Sequence, residues 1–207
     1  MSCNLAVVEP VVSDVEFESK GYTVIKNMLS RDMLDIAYRY YLSYAATSGY
    51  YAVSDDVRAL DRYADALGEA MMPQVQEAIE AKTGRRLLPT YSFARVYTTA
   101  SRLSRHVDRG ACEISATMTV GYTGTSDLWP IMVESEGVDL PIALDVGDAL
   151  IYRGMDLPHW RESLKEGVWC QLFFHFVEAD GAMAGEHYDR RDSLGPVWPG
   201  PLVARRG

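Results

Sequence analysis

His106, Asp108 and His159 are the residues whose types and order could do chemistry together. They read as His-x-Asp followed, 51 residues after Asp108, by a lone histidine. Two imidazoles and one carboxylate on one face of an octahedron leave three positions open. That geometry suits ferrous iron that must bind a chelating cosubstrate and O₂ together. Residues i and i+2 of a strand share one face, so His-x-Asp is the shortest strand spacing that lets an imidazole and a carboxylate reach one metal.

The bare motif is weak, because 4 His and 16 Asp in 207 residues produce a chance His-x-Asp about a third of the time. His187-Tyr188-Asp189 is a second copy, but it lies in a tail rich in Gly and Pro and no later His completes it. It reads as a decoy. The weight therefore falls on the elements that must position the first copy.

Residues 15 to 29 read as a short strand centred on Tyr22-Thr-Val-Ile25. Ser30 is placed to cap a following helix, along which Met33, Ile36, Ala37 and Tyr40 recur at helical spacing. A second helical region is expected from about Asp55 to Lys82, with Pro73 starting or kinking a helix and Gly84 terminating it. From Thr90 the period changes to two: Tyr91–Tyr97, Cys112–Val120, Pro130–Val133, Leu140–Leu144, Ala149–Tyr152 and Val168–Val177 are strand-like. Helices first and short strands after predict an α+β chain, a double-sheet jelly roll buttressed by N-terminal helices, rather than alternating βαβ units. A single domain is expected: residues 1–89 mainly a helical buttress, 90–179 the jelly-roll core, 180–207 a wrapped or mobile tail.

A net charge of -9 opposes broad binding to phosphate backbones, so a nucleic-acid partner is disfavoured. Three cysteines without a Cys-x-x-Cys pair indicate neither a disulfide framework nor a zinc knuckle, and fit a reducing cytoplasm. The N-terminus has no basic leader, its apolar stretch is broken by Glu9 and Pro10, and no run approaches the ~18 apolar residues of a membrane span. A soluble, cytoplasmic protein is expected.

His106 and Asp108 fall at a strand edge after the Ser- and Arg-rich loop Thr98 to Arg105. Further on, Val146-Gly-Asp148 has turn chemistry, Ala149 to Tyr152 forms a hydrophobic strand, and Gly154 to Pro158 makes a bend that can return His159 to the sheet interior. With "RVY…HVD", "GDALIYRG" and "LPHWR" as its specific residues, the stretch from Thr90 to Val177 resembles the Fe(II)- and 2-oxoglutarate-dependent oxygenases of the small prolyl-hydroxylase-like kind. The resemblance implies a double-stranded β-helix with His106, Asp108 and His159 as iron ligands and catalytic centre. It also implies 2-oxoglutarate as cosubstrate, O₂ as oxidant and ascorbate as a stimulant. Halogenases of this type have a small residue where Asp108 stands, so the resemblance implies hydroxylation or desaturation of an amino acid, small metabolite or peptide.

The distal carboxylate of 2-oxoglutarate requires a cation, ideally an Arg whose planar fork grips both oxygens. In the resembled family it often lies about ten residues past the distal His, but Val168-Trp-Cys-Gln171 holds no Arg or Lys. Arg161, two residues past His159, is the first substitute and Arg95, on a strand face with Tyr97, the second; both could instead be structural, paired with Glu162 or Glu113. Tyr97 matches a tyrosine that contacts 2-oxoglutarate in similar enzymes. Gln171, Phe173 and His175 share a strand face, and an inward face would demand partners for the two polar groups, with a satisfied core histidine the simpler reading of His175. Glu113, Ser115, Thr117 and Thr119 form a polar row that either lines a pocket or faces solvent. Trp129, Trp160, Trp169 and Trp198 could wall a cavity or fill the core. The rival classes are a cupin-like module that binds a metal or ligand without oxidation, and a regulatory protein or peptide hydroxylase.

Overall fold

The computed structural model describes residues 14–195. Its elements, in chain order, are α1 (Val15–Lys20), β1 (Tyr22–Ile25), α2 (Arg31–Ser43), β2 (Ala52–Ser54), β3 (Ala59–Tyr63) and α3 (Ala66–Thr83). There follow β4 (Leu87–Thr98), β5 (Leu103–His106), β6 (Ile114–Thr123), β7 (Ile131–Ser135), β8 (Val138–Ile142), β9 (Ala149–Arg153), β10 (His159–Arg161) and β11 (Val168–Glu178). Two sheets result, a seven-stranded one in the order β1-β9-β6-β11-β4-β3-β2 and a four-stranded one in the order β5-β10-β7-β8. Every pairing is antiparallel. This is the expected α+β jelly roll, and none of its helices is long and apolar enough to cross a membrane.

Strand alternation divides the large sheet into two chemically different faces. Ala94 and Val96 of β4, Ile114, Ala116 and Met118 of β6, and Leu172, Phe174 and Phe176 of β11 pack with Leu34, Ala37 and Tyr41 of α2 and Met72, Val75 and Ile79 of α3. The intervening residues point the other way, between the two sheets. There Tyr97, Trp129, Trp169 and Phe173 form one cluster and Tyr22, Val133, Leu150 and Tyr152 another. The helices thus cover one face of the sheet and free the other to build a site.

The N-terminal part departs from its sequence reading in three places. Val15–Lys20 is a helix, capped by Asp14 and ended by Gly21 in the left-handed conformation (φ 78°), so only Tyr22–Ile25 of the expected strand is extended. In α2 the Ser30 hydroxyl accepts from the Met33 amide as expected, but Ile36 is 64% exposed while Leu34, Ala37 and Tyr41 carry the packing. Most of all, residues 55–63 are a turn and a strand rather than helix, because β3 completes a ladder on β4 with Asp61 opposite Arg95. Tertiary pairing overrides the helical pattern there. The helix begins at Ala66, passes through Pro73 and ends at Gly84 (φ 73°).

Residues 180–195 wrap back over the barrel: Arg191 donates to Glu69 and to the Thr90 carbonyl, and Asp189 takes both nitrogens of Arg109. Cys112 and Cys170 are buried free thiols; Cys3 and Trp198 lie outside the described residues.

The junction of α2, β3 and α3 turns on one buried carboxylate. Asp65 caps α3 through the Leu67 amide, accepts from the Tyr40 and Tyr41 hydroxyls at 3.0 and 3.3 Å, and pairs with Arg62 at 2.6 Å. Asp65→Ala removes the anion and leaves those donors unmatched, so urea unfolding should show a loss of about 3–5 kcal/mol. Asp65→Asn, which keeps an acceptor, should lose less.

Candidate metal centre

The register of the small sheet sets His159 directly opposite His106, on adjacent strands β10 and β5. Their ring centroids are 4.3 Å apart. Each imidazole is oriented by the same local device: His106 Nδ1 donates to the Ser104 carbonyl at 2.8 Å and His159 Nδ1 to the Leu157 carbonyl at 2.9 Å. In its neutral form each ring therefore presents an unprotonated Nε2.

Asp108 lies just past β5, held by its amide to the Gly154 carbonyl at 2.8 Å. Its Oδ1 stands 3.6 Å from His106 Nε2 and 3.7 Å from His159 Nε2, too far for a direct hydrogen bond to either. Donors sharing one divalent cation at bond lengths of about 2.0–2.2 Å lie about 3–4 Å apart, so both spacings suit a shared cation, and the ligand atoms of all three residues lie within 4.8 Å of one another. Nitrogen, nitrogen and oxygen donors suit iron, and no fourth protein ligand belongs to the group among the described residues. Burial pushes the Asp108 carboxyl up, but His106 and the neighbouring imidazoles outweigh it and hold the group below its ordinary range. Burial lowers His159, whereas the adjacent Asp108 raises the less buried His106.

Two supports of Asp108 were not legible beforehand. Ser115 Oγ lies 3.2 Å from Asp108 Oδ2 and 2.8 Å from His175 Nδ1. His175 is buried and burial pushes its imidazole down to about 4, so it is neutral; in the tautomer with Nδ1 protonated it donates to Ser115, whose own proton is then free for Asp108 or the Cys112 carbonyl. The second support is an absence: a Cβ on Gly154 would lie 2.1 Å from the Cys112 carbonyl and 2.7 Å from Asp108 Oδ2. The glycine in "GDALIYRG" is the only sequence signal of that constraint.

Deeper between the sheets lies Arg161, 1% exposed. Its Nη1 donates to the Trp129 carbonyl at 2.6 Å, the guanidinium sits 4.6 Å from the Trp129 ring centroid, and Nε and Nη2 have no partner. It pairs with neither Glu162 nor any other described acid, and burial pushes its pKa down to about 10, which still leaves it charged at neutral pH. Tyr97, edge-on to the same Trp129 ring at 4.9 Å, also has a buried hydroxyl without a partner. Arg95 occupies a different role from the one considered above. Both Nε and Nη2 are held by the Asp61 carboxylate across β3 and β4, not by Glu113.

The polar row of β6 proves to be interior: Ser115, Thr117 and Thr119 are 0% exposed. Gln171 faces them and is satisfied by the protein itself, donating to Thr117 Oγ1 at 2.8 Å and accepting from Trp169 Nε1 at 2.9 Å. Gln171 therefore awaits no ligand, whereas His175 is held by Ser115 and lies with Asp108 and Cys112 in a second cluster of potential ligand atoms. Glu113 points elsewhere, accepting from the Glu178 amide. Trp160 is on the outside, under Arg105. In the decoy, Asp189 is consumed by Arg109, and His187 stacks on Tyr188.

No protein-family model matches the sequence, and no curated protein does. Solved structures do. A prolyl-4-hydroxylase from Pseudomonas putida superposes with a TM-score of 0.66 at 15% identity, over 79% of this chain and 95% of that one. The non-heme alpha ketoglutarate dependent epimerase SnoN of nogalamycin biosynthesis gives 0.67 at 11% identity, over 93% and 94%. HygX from Streptomyces hygroscopicus, solved with nickel, 2-oxoglutarate and hygromycin B, gives 0.61 at 12%, over 79% and 85%. The fold of this chain is the one these structures share, among them an enzyme described as non-heme and alpha ketoglutarate dependent and one solved with nickel and 2-oxoglutarate.

Ser115→Ala should weaken divalent-metal binding about tenfold with the fold intact, read by calorimetric titration of Co(II). Gly154→Ala should lower both metal affinity, by tenfold or more, and thermal stability, by about 1–3 kcal/mol, because the Cys112 carbonyl it strikes is backbone.

Proposed function

We propose that this chain is an Fe(II)- and 2-oxoglutarate-dependent dioxygenase that hydroxylates an unactivated C–H bond of a small molecule, amino acid or peptide side chain. The observation that carries the cosubstrate is the buried, unpaired guanidinium of Arg161. Burying a charge without a counter-ion costs several kcal/mol, so the anion that balances it comes from outside the described residues, and a bound carboxylate fills that role. Nε and Nη2 form one edge of the guanidinium fork, the edge that grips a carboxylate with two parallel bonds. The Tyr97 hydroxyl supplies a third donor beside it.

Arg161 is two residues from His159 on β10, so one short strand holds both the metal ligand and the cosubstrate anchor. In this reading the Trp129 carbonyl and ring aim the guanidinium, Trp169 and Gln171 occupy the place where similar enzymes carry the cation, and Arg95 is structural. Iron and 2-oxoglutarate, when bound, supply the oxidising chemistry, with O₂ consumed and succinate and CO₂ released. The chain's share is placement: His106, Asp108 and His159 hold the cation by one face, Arg161 and Tyr97 fix the far carboxylate, and the sheets exclude water. Buried free Cys112 and Cys170 accord with a reducing, cytoplasmic setting.

Arg161→Ala should raise the 2-oxoglutarate dissociation constant about a hundredfold or more while leaving metal affinity within about threefold, read from the visible band of the anaerobic Fe(II) complex. His106→Ala should remove both metal binding and succinate formation. A wild-type chain that binds Fe(II) but gives neither the band nor succinate, with ascorbate present, would be a binding module rather than an oxygenase.

A further inference from the structure

A cleft of about 650 Å³ opens beside His106, within the range of sites for small molecules. Two of its walls are the turn 55–58 and the segment 100–104, which runs into β5, and Ser163 closes a third side. These two walls are locked together. The buried Ser101 hydroxyl donates to the Arg58 carbonyl and accepts from the Thr98 amide at 2.8 Å. The Arg102 amide reaches the Val57 carbonyl at 3.1 Å, and Ala100 and Ser101 bond the backbone of Leu164 at 2.8 Å. Arg58 (φ 59°) and Ala100 (φ 71°) are held in the left-handed region, a strain of about 1–3 kcal/mol each that persists only where surroundings impose it. The rim is built rather than loose.

Its arginines are unusual for this molecule. Apart from the buried Arg161, every other described arginine is paired with an acid, as in Arg62 with Asp65, Arg95 with Asp61, and Arg105 with Asp139. Arg58, Arg102, Asp55 and Asp56 all line the cleft, yet none makes a side-chain hydrogen bond or ion pair with a described residue. Opposite charges sharing one rim without neutralising each other leave two complementary places for a ligand. A molecule with a single charge satisfies one place, whereas one bearing both signs satisfies both.

We propose that this cleft is the substrate site and that it selects a small zwitterion, its carboxylate on Arg58 and Arg102 and its ammonium on Asp55 and Asp56. The inference deepens the oxygenase reading and rests on it for the chemistry at the His106 end. Val57, Leu103 and Ala100 offer the carbon skeleton an apolar floor between the charges. The anchoring side chains are exposed, so each contact contributes modestly and selectivity comes from their sum.

The test is calorimetric titration of the full chain, both metal-free and loaded with Ni(II) and 2-oxoglutarate. Ligands are the twenty proteinogenic amino acids and straight-chain amino acids with a more distant ammonium, each beside its N-acetyl and methyl-ester derivative. At least one zwitterion should bind about tenfold tighter than both derivatives. The double variant Arg58→Asn with Arg102→Ala, Asn being chosen because it tolerates the left-handed backbone, should erase the preference over the ester only. Asp55→Asn with Asp56→Asn should erase the preference over the N-acetyl form only. Absence of any zwitterion preference, its survival in both double variants, or tighter binding of the doubly blocked, peptide-like forms overturns the proposal. Failure of Ni(II) and 2-oxoglutarate to bind would instead overturn the oxygenase reading, and the metal-free titrations would still decide the cleft.

Discussion

The cross-strand pairing of His106 with His159 is the constraint on which the centre depends. A slip of one residue between β5 and β10 would turn one imidazole to the opposite face of the sheet and separate the two donors completely. The strands that carry them are short, of four and three residues, so their own ladder cannot pin that register. It is pinned by β7 on the far side of β10, where His159 pairs with Val133, and by the Asp108 amide bonded to Gly154 across the bend. The candidate metal face is thus the product of backbone hydrogen bonds made with residues outside the triad.

A second principle organises the interior. The large sheet gives apolar alternate residues to the helices and places its polar ones, beside several aromatic side chains, in the space between the sheets. Nearly every polar group placed there is matched inside the protein: Gln171 with Thr117 and Trp169, His175 with Ser115. Against that background, Arg161 and Tyr97 stand out as side chains whose donors are aimed and yet unmatched. The contrast with Arg95 is instructive, since a guanidinium only a few residues along the interior is fully occupied by Asp61.

Much of this was legible in the sequence because the governing signals are local. The period-two runs after Thr90, the cap at Ser30, the terminator at Gly84 and the His-x-Asp spacing each depend on a handful of neighbouring residues, and each has its counterpart in the fold. What escaped was decided by distant partners. β3 is extended because β4 lies beside it, and α2 buries Leu34 and Tyr41 because of where the sheet sits. The partner of Arg95, the support of Asp108 by Ser115 and His175, and the locked loops around Ser101 join segments tens of residues apart. No spacing rule encodes such pairs, although the lone glycine at 154 marked one of them.

The strand order also bears on how the molecule is made. β11 is the last strand among the described residues but lies in the middle of the large sheet, bonded along its length to β4 and β6. A nascent chain therefore lacks the central strand of its larger sheet until residue 178 has left the ribosome. Before that, β4 and β6 expose unpaired edges and apolar faces, the surfaces on which chaperones and wrong partners act. Completion by a late, long-range strand also makes for slow folding. The barrel around His106, Asp108 and His159 is consequently closed only after all three of them have been made.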